Sequence, residues 1–328
     1  MDKVLVTGGA GYVATVLVPM LLENNYRVTV LDTFWFWDSI DEYIDAVASL
    51  LADPMKIGNL SVIKNDIRNI ESLDSSLDYI ISLACVSNDP SSDLDPEFTH
   101  SVSYGGVCNL IDVAERDCGS LKNFIYGSSN SVYGIKEEEK VTEDLVPEPL
   151  TQYSKLKLET EGYLLNTTLP CVIVRPSTIC GYSPRQRLDL MVNIFVDQAV
   201  NKGTITLHGG DQYRPTLHIK DMCRIYLALL ESGICNGEIY NAGYEYKTAR
   251  EFAEDISEQT DALIDVVDTQ DQRSYRTCSE KLERDLGFEY EYSSLDAISE
   301  LIVAFRGGDI DRTHSVNIKV VKDLLNGN

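Results

Sequence analysis

Residues 3–23, KVLVTGGAGYVATVLVPMLLE, constrain this chain more than any other stretch. Val4, Leu5 and Val6 form a short apolar run, and after Thr7 come Gly8, Gly9, Ala10 and Gly11. Beyond the glycines, Val13, Val16, Leu17, Met20 and Leu21 recur at helical spacing. Strand, glycine corner and helix in that order let backbone N–H groups and a helix N-terminus face a pyrophosphate. A glycine corner also occurs without any ligand, and the third glycine position here holds Ala14. The surrounding pattern has to decide.

That pattern alternates. Residues 27–31 read as a second strand ending at Asp32, 41–52 as a helix, and 60–64 as a third strand followed by Asp66 and Ile67. Residues 78–84 are nearly all apolar, as expected of a strand covered on both faces in a parallel sheet. A helix over 96–117, a strand over 122–126, a helix over 152–165 and a strand over 170–175 continue the alternation. Right-handed crossovers and a doubly wound α/β sheet of the Rossmann type follow. We expect a cofactor domain over 1–175 and a smaller α/β substrate domain over 176–328, with some later segments returning to the sheet. Helices are expected over 295–305 and 318–325.

Ligands of such sheets bind beyond the carboxyl ends of the strands. Gly8, Gly11, Asp32, Asp66, Ala84, Ser128 and Ser129 all fall there. A carboxylate at Asp32 suits the hydroxyls of an adenosine ribose and repels a 2′-phosphate, and residues 33–36 hold no Arg or Lys to offset it. NAD is therefore expected rather than NADP. Tyr153 and Lys157 lie one turn apart on the helix that follows the serines. With a serine hydroxyl they suit oxidation of a carbinol: the phenol takes a proton, and a neighbouring ammonium lowers its pKa from about 10.

Composition narrows the partners. The formal net charge is −24, from 28 basic and 52 acidic side chains, which opposes binding to nucleic acid or to an anionic membrane. The eight Cys form no C-x-x-C pair and several lie in apolar segments, so reduced thiols are expected. The four His are scattered without metal-ligand spacing, and no metal site is expected. With no room for a signal peptide before the first strand and no apolar run of about 18 residues, a cytoplasmic location is expected.

The motifs VTGGAGYV, NDI (65–67), SLA (82–84), SSNSVYG, YSKLKLETE, RPSTICG (175–181), RPTLHIKD (214–221) and DQRSYR (271–276) together resemble one family. This is the extended short-chain dehydrogenase/reductase superfamily, in particular its NAD-dependent nucleotide-sugar epimerases and dehydratases. The resemblance runs from residue 3 to about 305. It implies Tyr153 as catalytic base, Lys157 as its partner and a ligand of the nicotinamide ribose, and Ser129 as the catalytic hydroxyl. It implies that Gly8, Gly11, Tyr12, Val13, Asp32, Asp66, Ile67 and Ala84 line NAD. It also implies that Arg187, Asn193, Arg214 and Arg273 hold a nucleotide-activated sugar (UDP-, GDP- or dTDP-linked), with the arginines on its diphosphate. A homodimer through the helices of 96–117 and 151–167 is a further expectation from the resemblance.

The departures are informative. Asn130 and Ser131 stand where the family's 4,6-dehydratases carry Asp-Glu, which speaks against water elimination. Ser103 replaces the usual Asn of the N-V-x-G-T helix, and Cys180 the usual Tyr of RPxxVYG. Residues 183–193 look most like members acting at C4. The resemblance thus implies a 4-epimerase-like enzyme working through a 4-keto sugar. A 4-dehydrogenase that releases the ketosugar, such as the GDP-heptose enzymes, is the alternative. A non-catalytic NAD-sensing module is the reading from another class.

Overall fold

The computed structural model describes residues 1–268 and 276–327. Its first part runs β1 (Lys3–Thr7), α1 (Ala14–Glu23), β2 (Arg27–Asp32), α2 (Ile40–Ser49) and β3 (Leu60–Lys64), then β4 (Tyr79–Ser82), α3 (Asp89–Ser92), α4 (Pro96–His100) and α5 (Val107–Asp117). β5 (Asn123–Gly127), α6 (Gln152–Leu165) and β6 (Cys171–Pro176) follow. The remainder runs β7 (Thr178–Cys180), α7 (Met191–Lys202), β8 (Thr204–His208), β9 (Tyr213–His218), α8 (Ile219–Ser232) and β10 (Asn236–Ala242). β11 (Glu245–Thr248), α9 (Ala249–Thr260), β12 (Leu263–Val267), α10 (Glu280–Leu286), α11 (Ser294–Gly307) and α12 (Asn317–Leu325) complete it.

The main sheet has seven parallel strands in the order β10-β6-β5-β4-β1-β2-β3. The order reverses between β1 and β4, which opens a crevice at their carboxyl ends. β4 and β5 are buried along their whole length, because helices cover both faces. On one face Leu17, Leu21 and Val18 of α1 pack with Ile225 and Leu229 of α8. On the other, Leu110 and Ile111 of α5 pack with Leu164 of α6. Each such side chain contributes about 1.5–3 kcal/mol when fully buried. A separate core joins Phe195 and Val196 of α7, Phe252 and Ile256 of α9, and Ile298 and Leu301 of α11. β10 and α8 belong to the main sheet although they come late in the chain.

The single helix expected over 96–117 is corrected in its middle. α4 and α5 are joined by a π-turn, Ser101–Gly106, which inserts a wider coil into a continuous helical run. Gly106 has to lack a side chain here, since a Cβ would meet Cγ1 of Ile67 at 2.7 Å. The π-turn brings Ser103 to the end of β4, where its Oγ accepts the Val86 N–H at 3.0 Å. No helix among the described residues is long and apolar enough to cross a membrane.

Candidate active site

A cleft of about 520 Å³ opens at the carboxyl ends of β1, β2, β4 and β5, and residues from the second part of the chain close its far side. The glycine corner forms its floor. Gly8 has φ +69°, and a Cβ there would meet the backbone N of Ala84 at 2.6 Å, so β1 and β4 are pinched together above the sheet. α1 begins at Val13 with no side-chain cap and no acidic residue in its first turn, whereas α2 is capped by Ser39. Its N-terminus is thus left for an anion.

Asp32 ends β2 with its carboxylate half-buried. Oδ2 accepts the Ala10 N–H at 3.0 Å and Oδ1 the Phe34 N–H at 2.8 Å. Burial pushes its carboxyl up, and these N–H groups pull it partly back. The bond from Ala10 ties Asp32 to the glycine corner, and the one from Phe34 ties it to the loop after β2. Asp66 caps a short 3₁₀ turn and is gripped by Arg68 through Nε (3.0 Å) and Nη2 (2.7 Å). Tyr12, Val13, Ile67 and Ala84 also line the cleft. A corner that a Cβ would fill, an uncapped helix end and a half-buried carboxylate together fit the adenosine diphosphate half of NAD.

The catalytic candidates converge on the same cleft. A capping box between Thr151 and Ser154 fixes the start of α6, and hence the direction of Tyr153. Lys157 is only 4 % exposed. Its Nζ donates to the Gly127 carbonyl at 2.6 Å and lies 5.0 Å from the Tyr126 ring and 5.7 Å from the Tyr153 ring. Burial pulls the ammonium's pKa down, while Cys85 and the surrounding tyrosines more than restore it. For Tyr153 burial raises the phenol and Lys157 lowers it, with a further lowering by a hydrogen bond with Ser129. The net direction is upward, so Lys157 alone does not bring the phenol to neutrality; the positive charge of a nicotinamide acts in the same sense as Lys157.

The two candidate serines part company. The Ser128 hydroxyl donates to Glu161, which is itself paired with Arg175 (2.6 Å) in the buried core. Both serines line the cleft, but Ser129 bonds to Ser131 rather than to the core. Its Oγ accepts from the Ser131 N–H at 3.2 Å and the Ser131 hydroxyl at 2.9 Å. Asn130 lies buried with its amide donating to Ser177 and Thr277, both at 3.0 Å.

Among the substrate candidates, Arg187 and Arg214 line the cleft. Arg187 is oriented by Asp189 (Nε to Oδ1, 2.9 Å), and among the described residues its Nη2 has no hydrogen-bond partner. Asn193 is placed differently from the expectation. It is fully buried, accepts the Gly181 N–H at 3.1 Å and donates to the Tyr12 hydroxyl (3.1 Å) and the Arg187 carbonyl (2.9 Å). It shapes the loop that carries Arg187 and does not line the cleft. Arg273 lies outside the described residues.

The model of the NAD dependent epimerase/dehydratase family matches residues 4–243. The chain belongs to that family. Low-salt glycan biosynthesis protein Agl12 of Haloferax volcanii is 29 % identical to this epimerase/dehydratase-family enzyme, over 93 % of this chain and 99 % of its own. The uncharacterized UDP-glucose epimerase YtcB of Bacillus subtilis is 28 % identical, over 74 % of this chain and 76 % of its own. UDP-glucuronic acid 4-epimerase of Bacillus cereus, solved with UDP-glucuronic acid and NAD, has a TM-score of 0.79 at 27 % identity, covering 93 % of this chain and 99 % of that one. NAD is the cofactor of this family member, in keeping with the seat built by Gly8, Asp32 and the end of α1.

Sequence reasoning missed three residues of this family member's cleft. Arg185, Asp189 and Asn317 line it from the second part of the chain. Arg185 was visible only as one basic residue among several. Nothing marked Asn317, because the contact it makes spans more than a hundred positions.

Proposed function

We propose that this enzyme inverts C4 of a UDP-linked sugar by way of a 4-keto intermediate held in the cleft. The observation that carries the reading is the convergence of Ser129, Tyr153 and Lys157 on one cleft with no carboxylate at 130 or 131. Bound NAD would supply a reversible hydride acceptor for C4, with Gly8, Asp32 and the N-terminus of α1 as the residues that would hold it. Tyr153 receives the proton of the C4 hydroxyl, and the Lys157 ammonium favours the phenolate that does so. Ser129, its lone pairs engaged by Ser131, has its own O–H to offer the sugar oxygen. Arg187 and Arg214 pair the diphosphate, with Arg273 a third candidate. Dehydration needs an acid and a base where this chain has a buried Asn130 and a Ser131 already bonded to Ser129. The Bacillus cereus 4-epimerase supports UDP-glucuronic acid as the first sugar to try.

The test is an NMR assay of product with UDP-glucuronic acid, UDP-glucose, UDP-N-acetylglucosamine, GDP- and dTDP-sugars. Inverted C4 with no net NADH supports the proposal. NADH accumulating in step with a ketosugar assigns a 4-dehydrogenase, and NAD binding without turnover of any of these sugars assigns a non-catalytic module. We also propose a homodimer through α5 and α6, which light scattering of the purified chain tests by mass.

A further inference from the structure

Arg185 is 4 % exposed, yet among the described residues it pairs with no carboxylate. Its guanidinium lies 3.6 Å from the centre of the Phe36 ring, Nη2 donates to Asn317 Oδ1 at 2.5 Å, and Nε has no hydrogen-bond partner. Burial pulls the guanidinium down from its ordinary pKa, and neighbouring Arg187 adds to the effect. A cation held dry with an unused donor is destabilised until an anion meets it. Its electrostatic neighbours include Asp189 and, at the end of β2, Asp32. Arg187 interacts first with Asp189 and, at the catalytic end, with Tyr153.

We propose that Arg185 is a cofactor-binding residue, reaching from the second part of the chain to pair the diphosphate of NAD, and that α12 latches it there. Asn317 opens α12 and holds the guanidinium. Its backbone N–H reaches Asp189 Oδ2 (3.3 Å), which also accepts the Asn88 side chain at 2.6 Å from the loop after β4. The Leu188 N–H donates to the Ser315 carbonyl at 2.8 Å. One turn further on, Val321 packs with Val86, Val102, Trp35 and Phe98 on the cofactor side of the cleft. The tail therefore spans both sides of the cleft, and NAD leaves only when α12 lifts. This inference rests on NAD as cofactor and is independent of which sugar is turned over.

The test follows binding and not activity. Full-length protein is stripped of cofactor, and NADH, ADP-ribose and adenosine are titrated separately by fluorescence and calorimetry. Losing a charge-assisted contact in Arg185→Met raises Kd for NADH and ADP-ribose about tenfold or more, and leaves adenosine within about twofold. Arg185→Lys recovers part of the loss. Asn317→Ala keeps the cation but frees it, and NADH chased by excess ADP-ribose leaves severalfold faster. Unchanged affinity for NADH and ADP-ribose in an Arg185→Met protein with wild-type melting overturns the proposal. An equal loss for adenosine also overturns it, since Arg185 then only packs on Phe36. Should Arg185→Met not fold, an unchanged off-rate in Asn317→Ala overturns it.

Discussion

The hydroxyl of Ser131 donates to Oγ of Ser129 at 2.9 Å, and the Ser131 N–H reaches the same atom at 3.2 Å. Two donors on one oxygen fix the side that still offers a proton, and that side meets Tyr153, whose phenol pKa a hydrogen bond with Ser129 lowers. Ser131 is one of the two positions, with Asn130, where the resemblance puts a dehydratase's carboxylates, and here it orients Ser129 instead.

Ser131→Ala removes one of these donors. We expect kcat to fall by up to about tenfold with KM little changed, the size of one net hydrogen bond. Steady-state kinetics on whichever nucleotide sugar proves active reads this out. A KM effect with unchanged kcat would place Ser131 in substrate binding.

Tyr153→Phe removes the proton acceptor while leaving the ring in place. Turnover falls by about 10²–10⁴-fold, the range for a general base, while NAD titration is unchanged. A mutant retaining wild-type rate sinks the mechanism.

Lys157→Met tests the electrostatics of the phenol. Lys157 is the largest influence pulling the Tyr153 pKa down, and burial pushes it up. Without the ammonium the pKa rises, the phenolate fraction at a given pH falls, and the ascending limb of the pH–rate profile moves to higher pH. The profile is measured at saturating NAD, because Lys157 also anchors the Gly127 carbonyl. A limb that stays in place, or moves to lower pH, contradicts this account.

Gly8→Ala meets two penalties at once: φ is +69°, and the new Cβ falls 2.6 Å from the Ala84 nitrogen. A loss of about 1–3 kcal/mol is expected from the strained backbone alone, with weaker NAD binding as the corner opens. Urea unfolding with and without NAD separates the two effects.

Glu161→Ala leaves Arg175 in the core without its carboxylate, and Ser128 without its acceptor. Breaking a buried pair from one side costs about 3–5 kcal/mol. A change under about 1 kcal/mol in chemical denaturation would mean that water or Tyr133 takes over the charge.

The cofactor half was legible because each of its elements is contiguous in sequence. The glycine corner, Asp32 and the Tyr153–Lys157 turn each declare themselves within a few residues, and the sheet order brings them together. The choice between Ser128 and Ser129 was not legible, since adjacent serines on an extended segment point opposite ways and only the position of Glu161 shows which is inward. The π-turn at Ser101–Gly106 was hidden because its residues fit an ordinary helical pattern, apart from Gly105 and Gly106. Asn193 looked like a ligand because the resemblance carries it as one, whereas its burial depends on how the Gly181 loop folds back. Arg185 and Asn317 meet only in three dimensions.

β10 lies beside β6 at the edge of the main sheet. The sheet therefore cannot be finished on the ribosome until residue 242 has emerged, long after its other six strands are made. Until then β6 presents an open row of backbone donors and acceptors, the kind of edge at which nascent chains pair with one another. A fragment ending near residue 176 is expected to aggregate, while β10 replaces that apolar edge with a strand that opens on Asn236, Gly237 and Glu238.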